Sequence, residues 1–253
     1  MTQRTILITG AGSGFGKGAA IELASRGHNV IATTESQVQA DALAAEHANL
    51  TAMKLDVTSS ADIAGVAAWN VDILINNAGL GIMGPMESVP MDKVRAIFDV
   101  NVFGMVEMSQ AVIPGMKERG WGRIINVSSV AGKLASALGS PYCMTKHAVE
   151  AFTLSLRAEM APFGVDVTKV NPGPYNTGFN DTMVNGIATW INDGDDATKA
   201  AHDFVSEIVL TDQLDPNEVA MVLADLSEAE ETPAETLLPE GIGELIAAMI
   251  GQA

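Results

Sequence analysis

Basic residues are scarce in this chain: 14 lysines and arginines stand against 31 aspartates and glutamates in 253 residues, a net charge of −17. A nucleic-acid partner draws on a basic footprint that displaces counterions, so this balance argues against one. It also favours solubility and repels anionic surfaces. Cysteine occurs once, as Cys143, so no disulfide can close within the chain, and the reducing cytoplasm is the expected compartment. No run of eighteen apolar residues is present, so no segment is expected to cross a membrane. The first apolar run, Thr5–Thr9, is too short for a secretory core. No sequence period or low-complexity tract appears, which argues against a solenoid.

What is present alternates. Thr5–Thr9 (TILIT) is β-branched and apolar, the pattern of a buried strand, and a helix pattern follows over Lys17–Arg26. Further strands are predicted at Asn29–Thr34, Leu50–Leu55, Asp72–Ile75, Arg123–Val127 and Val165–Val170. Helices are predicted over Ala61–Trp69, Asp92–Arg119, Tyr142–Met160, Pro216–Leu226 and Ile242–Ile250, with Pro114 expected to kink or end the second of these. This alternation implies one α/β domain on a doubly wound parallel sheet, whose ligands bind beyond the carboxyl ends of the strands. Residues 178–212 read as a mostly irregular segment in which Phe179, Met183, Ile187, Trp190 and Ile191 are interleaved with polar residues. A lid over the site, or packing on the core, accounts for them.

Several candidate residues fall on that edge. Between the first strand and the first helix lies Gly10-Ala-Gly-Ser-Gly-Phe-Gly16. Glycines allow a backbone to approach a pyrophosphate, and a helix N-terminus supplies N–H groups and a positive dipole end. The spacing is neither G-x-G-x-x-G nor a P-loop, and a merely flexible turn is the competing reading. The second strand ends at Thr34-Glu35, with no basic residue before Lys54. Glu35 would repel a ribose 2′-phosphate, which favours NAD over NADP, although an acid in the first turn of a helix is common on its own account. Asp56-Val57 follows the third strand, where Asp56 caps the next helix, contacts an adenine, or both. Asn76–Gly79 follows the fourth strand and suits a floor under a cofactor, or is just a turn.

Ser129, Tyr142 and Lys146 carry the chemistry. If Tyr142 opens a helix, Lys146 lies one turn on and on the same face. An ammonium held close is expected to lower the phenol's pKa, fitting it to exchange a proton with an alcohol or carbonyl. Ser129, folded back, would hold the oxygen whose charge changes. A tyrosine and a lysine four apart also occur by chance in many helices, so the pair is weighed with its company.

Taken together, these motifs resemble the short-chain dehydrogenase/reductase family, in its branch of about 250 residues and a Rossmann-type fold, over roughly residues 5–226. The resemblance matches the turn Thr9–Gly16, including Gly10, Ser13, Gly14, Phe15 and Gly16, to the cofactor loop. It matches Asp56 to the adenine contact and Asn76-Asn77-Ala78-Gly79 to the N-N-A-G motif. Pro172-Gly173 with Thr177 matches the nicotinamide-side motif, and Asn101, Ser129, Tyr142 and Lys146 match the catalytic tetrad. It implies that Tyr142 is the acid/base, that Lys146 holds the nicotinamide ribose, that Ser129 steadies the reacting oxygen and that Asn101 orders a relay water. It also implies interconversion of a secondary alcohol and a ketone, no metal site, and a homodimer or homotetramer joined through the helices Asp92–Arg119 and Tyr142–Met160. In that family a further strand lies near the C-terminus, where only Glu235–Leu238 could serve. The alternatives are a nucleotide-sensing protein without turnover and a nucleotide-sugar epimerase or dehydratase. Residues 80–83, 134–138 and 178–212 are expected to line an apolar substrate pocket. Lys133 is read as solvent-facing, or as a contact for an anionic substrate.

Overall fold

The computed structural model describes residues 2–190 and 196–250. Seven strands form one sheet in the order β3-β2-β1-β4-β5-β6-β7, and every neighbouring pair is parallel. The strands are β1 (Thr5–Ile8), β2 (Asn29–Thr34), β3 (Thr51–Lys54), β4 (Ile73–Asn76), β5 (Gly122–Val127), β6 (Val165–Pro172) and β7 (Glu235–Leu238). Parallel strands need long crossovers, and the helices that provide them cover both faces, which is why the central strands read as unbroken apolar runs. Ile6 and Ile8 face one side with Ala19, Leu23 and Leu223, while Leu7 and Leu74 face the other with Met108, Val112 and Met116. The strand order reverses between β1 and β4, the place where such sheets leave a crevice at their carboxyl edge.

The helices are α1 (Gly14–Ser25), α2 (Gln37–Glu46), α3 (Ser60–Ile63), α4 (Met91–Phe98), α5 (Met105–Arg119) and α6 (Ser140–Met160). After β6 come α7 (Phe179–Ile187), α8 (Asp196–Leu210), α9 (Asn217–Glu228) and α10 (Ile242–Ile250). The expected helix over Ala61–Trp69 is two short pieces, α3 and a 3-10 turn at Val66–Trp69, separated by Gly65. Asp56 does not cap it. Ser59 does, accepting from the Asp62 amide, while the Asp56 carboxylate accepts from Thr58.

Pro114 neither ends nor interrupts its helix. α5 runs through it to Gly120, whose left-handed backbone (φ 67°) terminates the element. Pro114 and Gln110, the residue whose carbonyl loses its donor, are both exposed, so water can replace the missing bond. The break falls earlier, as a π turn over Asp99–Gly104 that holds Asn101. By length and composition alone, Met91–Arg119 is long and apolar enough to cross a membrane, contrary to the expectation from run length. In this fold it lies along the sheet, burying Ile97, Met108, Val112 and Met116.

The segment 178–212 is not irregular among its described residues. It is the helix pair α7 and α8, because Met183, Val184, Ile187 and Val205 form an apolar stripe that packs under Met83, Ile97 and Tyr142 and overrides the poor helix formers between them. Ile191 and the polar residues 192–195 lie outside the described residues. Glu235–Leu238 does form a strand, pairing with Lys169–Pro172, and as an edge strand it is only half apolar.

Candidate active site

The glycine turn is shaped by close approach. Gly10 has φ 65°, and a Cβ there would sit 2.7 Å from the Cα of Ala78. A Cβ on Gly16 would drive into the Asn77 amide and the Gly10 carbonyl, so Gly16 serves packing and does not line the cleft. Asn77 Nδ2 donates to the carbonyls of Thr9 and Gly10, both at 3.0 Å, while the Thr9 hydroxyl accepts from the amides of Asn77 and Ala78. The loops after β1 and β4 are thus laced together. α1 begins at Gly14 with no side-chain cap on its free N–H groups, which leaves them for an anion.

A cleft of about 730 Å³ runs along the carboxyl edge from this turn. Gly10, Ser13, Gly14 and Phe15 line one end, with Thr34, Glu35, Asp56 and Val57 beside them. Asn77, Ala78 and Gly79 line its middle, and Pro172, Gly173 and Thr177 the opposite wall. Ser129, Tyr142 and Lys146 line the cleft together with Leu80, Met83, Phe179, Met183 and Ile208, and Tyr142 packs with Met83, Phe179 and Met183. The charged side chains among the described lining residues are Glu35, Asp56 and Lys146. The residues therefore fit a dinucleotide: amides and glycines for its phosphates, and an acid with no base at the adenosine end.

Within the candidate set, the Ser129 hydroxyl stands beside the Tyr142 phenol and donates to the Pro172 carbonyl at 3.4 Å, whereas Ser128 donates to Glu150 at 2.6 Å. Lys146 Nζ donates to the Val127 carbonyl at 2.9 Å and lies 5.7 Å from the centre of the Tyr142 ring. The expectation of an acidified phenol is overturned here. Burial pushes the Tyr142 phenol well above the ordinary tyrosine range, and the Ser129 hydroxyl only partly offsets it. Lys146 is itself desolvated: burial brings its ammonium down to about 8, against an opposing pull from Glu150.

Asn101 does not line the cleft. It is 1% exposed, with its amide committed to both main-chain groups of Leu80 and to the hydroxyl of Thr145. Thr145, a residue that sequence reasoning passed over, stands between Tyr142 and Lys146 and so links the π turn to α6. Of residues 134–138 only Ser136 lines the cleft; Leu138 packs in the cluster with Met83, Met183 and Ile187. Lys133 meets neither solvent alone nor the cleft: it bridges Glu150 at 2.7 Å and Glu235 at 2.5 Å.

A family model described as short chain dehydrogenase matches residues 4–187. The chain belongs to that family. It is 37% identical over 246 residues to an uncharacterized oxidoreductase of Bacillus subtilis, covering 90% of this chain and 85% of the relative. It is 37% identical over 198 residues to human 17-beta-hydroxysteroid dehydrogenase type 1, covering 73% of this chain but only 60% of that longer relative. Among solved structures, a serine dehydrogenase complexed with NADP+ superposes with a TM-score of 0.79 at 32% identity, over 92% of this chain and 94% of the other. Similar chains are solved with NADPH and with NAD. This short-chain dehydrogenase is therefore an oxidoreductase with a site for a nicotinamide dinucleotide.

Proposed function

We propose that the protein interconverts a secondary alcohol and a ketone on a neutral, apolar small molecule, with NAD as its coenzyme. The observation that carries this reading is that Ser129, Tyr142 and Lys146 line, together with Leu80, Met83 and Phe179, the cleft that begins at the glycine turn. The bound dinucleotide supplies or accepts a hydride at its nicotinamide carbon. Tyr142 does the proton work. Because its phenol stays protonated through neutral pH, it is set to give a proton to a carbonyl oxygen as the carbon is reduced, and to recover one through Lys146. Ser129 holds the same oxygen. Asn101 is a positioning residue, acting through Leu80 and Thr145.

Glu35 at the cleft's adenosine end, with no basic side chain among the described lining residues there, supports NAD over NADP. Leu80, Met83, Phe179, Met183 and Ile208 support an uncharged substrate, since among the described lining residues the one cation is Lys146, which already donates to the Val127 carbonyl. Relatives named for a steroid and for 3-ketodihydrosphingosine fit that substrate class. We also assign α7 and α8 the role of a lid, the outer faces of α5 and α6, with exposed Phe103, Met144 and Leu154 around them, to a homo-oligomer, and the protein to the cytoplasm. Incubating it with NAD or NADP and a panel of apolar secondary alcohols, and following reduced-cofactor absorbance, tests the reaction. Binding of the dinucleotide without turnover of any member would favour a sensor instead.

A further inference from the structure

Glu150 stands one turn beyond Lys146, as Lys146 stands one turn beyond Tyr142, so the three side chains are stacked on one face of α6. Its carboxylate lies behind the cleft in a cluster drawn from four elements. Oε1 accepts from Ser128 Oγ at 2.6 Å and from Asn171 Nδ2 at 2.7 Å, next to the Ser129 carbonyl that Asn171 also holds. Oε2 pairs with Lys133 at 2.7 Å and with Lys169 at 3.1 Å. Glu235 of β7 closes the cluster, pairing with Lys133 at 2.5 Å and Lys169 at 3.5 Å.

Lys169 is 1% exposed in the middle of β6, and a buried ammonium is stable only with partners. Lys133 and Lys169 balance Glu150 and Glu235, two cations against two anions. A protonated Lys146 is then a fifth, uncompensated charge, and it feels whatever part of the Glu150 field its other two lysines leave over. The groups that face Lys146 are the Val127 carbonyl, Tyr142 and Glu150. Burial alone would raise the Glu150 carboxyl, but the bonds from Lys133, Ser128, Asn171 and Lys169 outweigh it and keep the carboxyl ionised.

We propose that Glu150 is a positioning residue that sets the proton affinity of Lys146, with Lys133 and Lys169 as counterweights that limit its pull. The inference rests on the proposed function only in giving Lys146 a catalytic role; the electrostatic claim stands without it. Two substitutions separate the proposal from a purely structural role because they act with opposite sign. Glu150→Gln keeps acceptors for Ser128 and Asn171 but removes the anion, so Lys146 should give up its proton more easily. Lys133→Met removes a partly exposed counterweight, so more of the Glu150 field reaches Lys146, which should hold its proton longer.

The experiment is an NMR titration of full-length protein, without dinucleotide, carrying 13C at the lysine ε-carbon, with the Lys146 signal assigned by its loss in Lys146→Arg. Relative to wild type, the midpoint should fall by about one pH unit in Glu150→Gln and rise by roughly half a unit in Lys133→Met. Unmoved midpoints in both variants, or movement in the same direction, would overturn the proposal. If Glu150→Gln does not fold, Lys133→Met decides alone: an unchanged or lowered midpoint refutes it. Since no turnover is measured, failure of the dehydrogenase reading would leave this result interpretable.

Discussion

Asn101 and Leu80 are joined reciprocally: Asn101 Oδ1 accepts from the Leu80 amide at 2.7 Å, and Asn101 Nδ2 donates to the Leu80 carbonyl at 2.9 Å. The same Nδ2 donates to Thr145 at 3.1 Å. One side chain thus ties the π turn to the Leu80 loop that lines the cleft and to α6 between Tyr142 and Lys146. Asn101→Ala should destabilise the fold by about 1–3 kcal/mol, the cost of leaving such groups unpaired. Turnover should fall more than dinucleotide affinity does. Urea unfolding with an unchanged m-value, set beside steady-state kinetics, checks both outcomes.

Glu35 is exposed just past the end of β2 and lines the cleft, where we place the adenosine of the coenzyme. Glu35→Arg replaces repulsion of a 2′-phosphate with attraction. The ratio of kcat/KM for NAD over NADP should drop by about tenfold or more, equivalent to roughly 1.4 kcal/mol. An unchanged ratio would place coenzyme selection elsewhere.

Lys146 carries a folded-state penalty that a substitution should reveal. Its ammonium is brought down to about 8 from an ordinary value of 10.5, so it binds its proton less well folded than unfolded. Below pH 8 both states are charged and the folded state bears the full cost of burial. Between these values the unfolded state holds more protons, so this group's contribution makes stability rise with pH. Lys146→Met should therefore abolish activity while leaving the protein at least as stable at pH 7, with the advantage shrinking as pH rises through 8 to 10.5. Thermal unfolding across that range tests the sign.

Much of this was legible beforehand because the signals were local. The apolar runs of β1, β4 and β5 sit on strands buried on both faces, and the glycine turn follows β1, Ser129 follows β5, and Tyr142 and Lys146 lie in the first two turns of the next long helix, α6. What was missed depends on contacts far apart in the chain. Pro114 was read as a breaker because its exposure was unknown, and residues 178–212 looked irregular because the Met83–Tyr142 surface that organises them comes from elsewhere. Tyr142 was expected to be acidified because its lysine was visible and its burial was not. The Glu150 cluster did leave a trace. Lys169 lies on a fully buried stretch of β6 and needs a buried anion, and Glu150 continues the spacing of Tyr142 and Lys146.

The direction of the reaction should show in its pH dependence. Alcohol oxidation requires the relay to accept a proton, so its rate should rise as pH passes about 8, where Lys146 becomes neutral. Ketone reduction draws on a phenol that burial keeps protonated, so it should stay level through neutral pH. Parallel profiles of the two directions would contradict this assignment of roles.

Tyr142→Phe removes one oxygen from the meeting point of Ser129, Lys146 and the cleft. The most direct measurement compares its kcat with wild type on a substrate identified in the alcohol panel, alongside its dinucleotide affinity by calorimetry. The account predicts a loss of about 10²–10⁴-fold in kcat with dinucleotide affinity within about twofold of wild type. Turnover at the wild-type rate would contradict it.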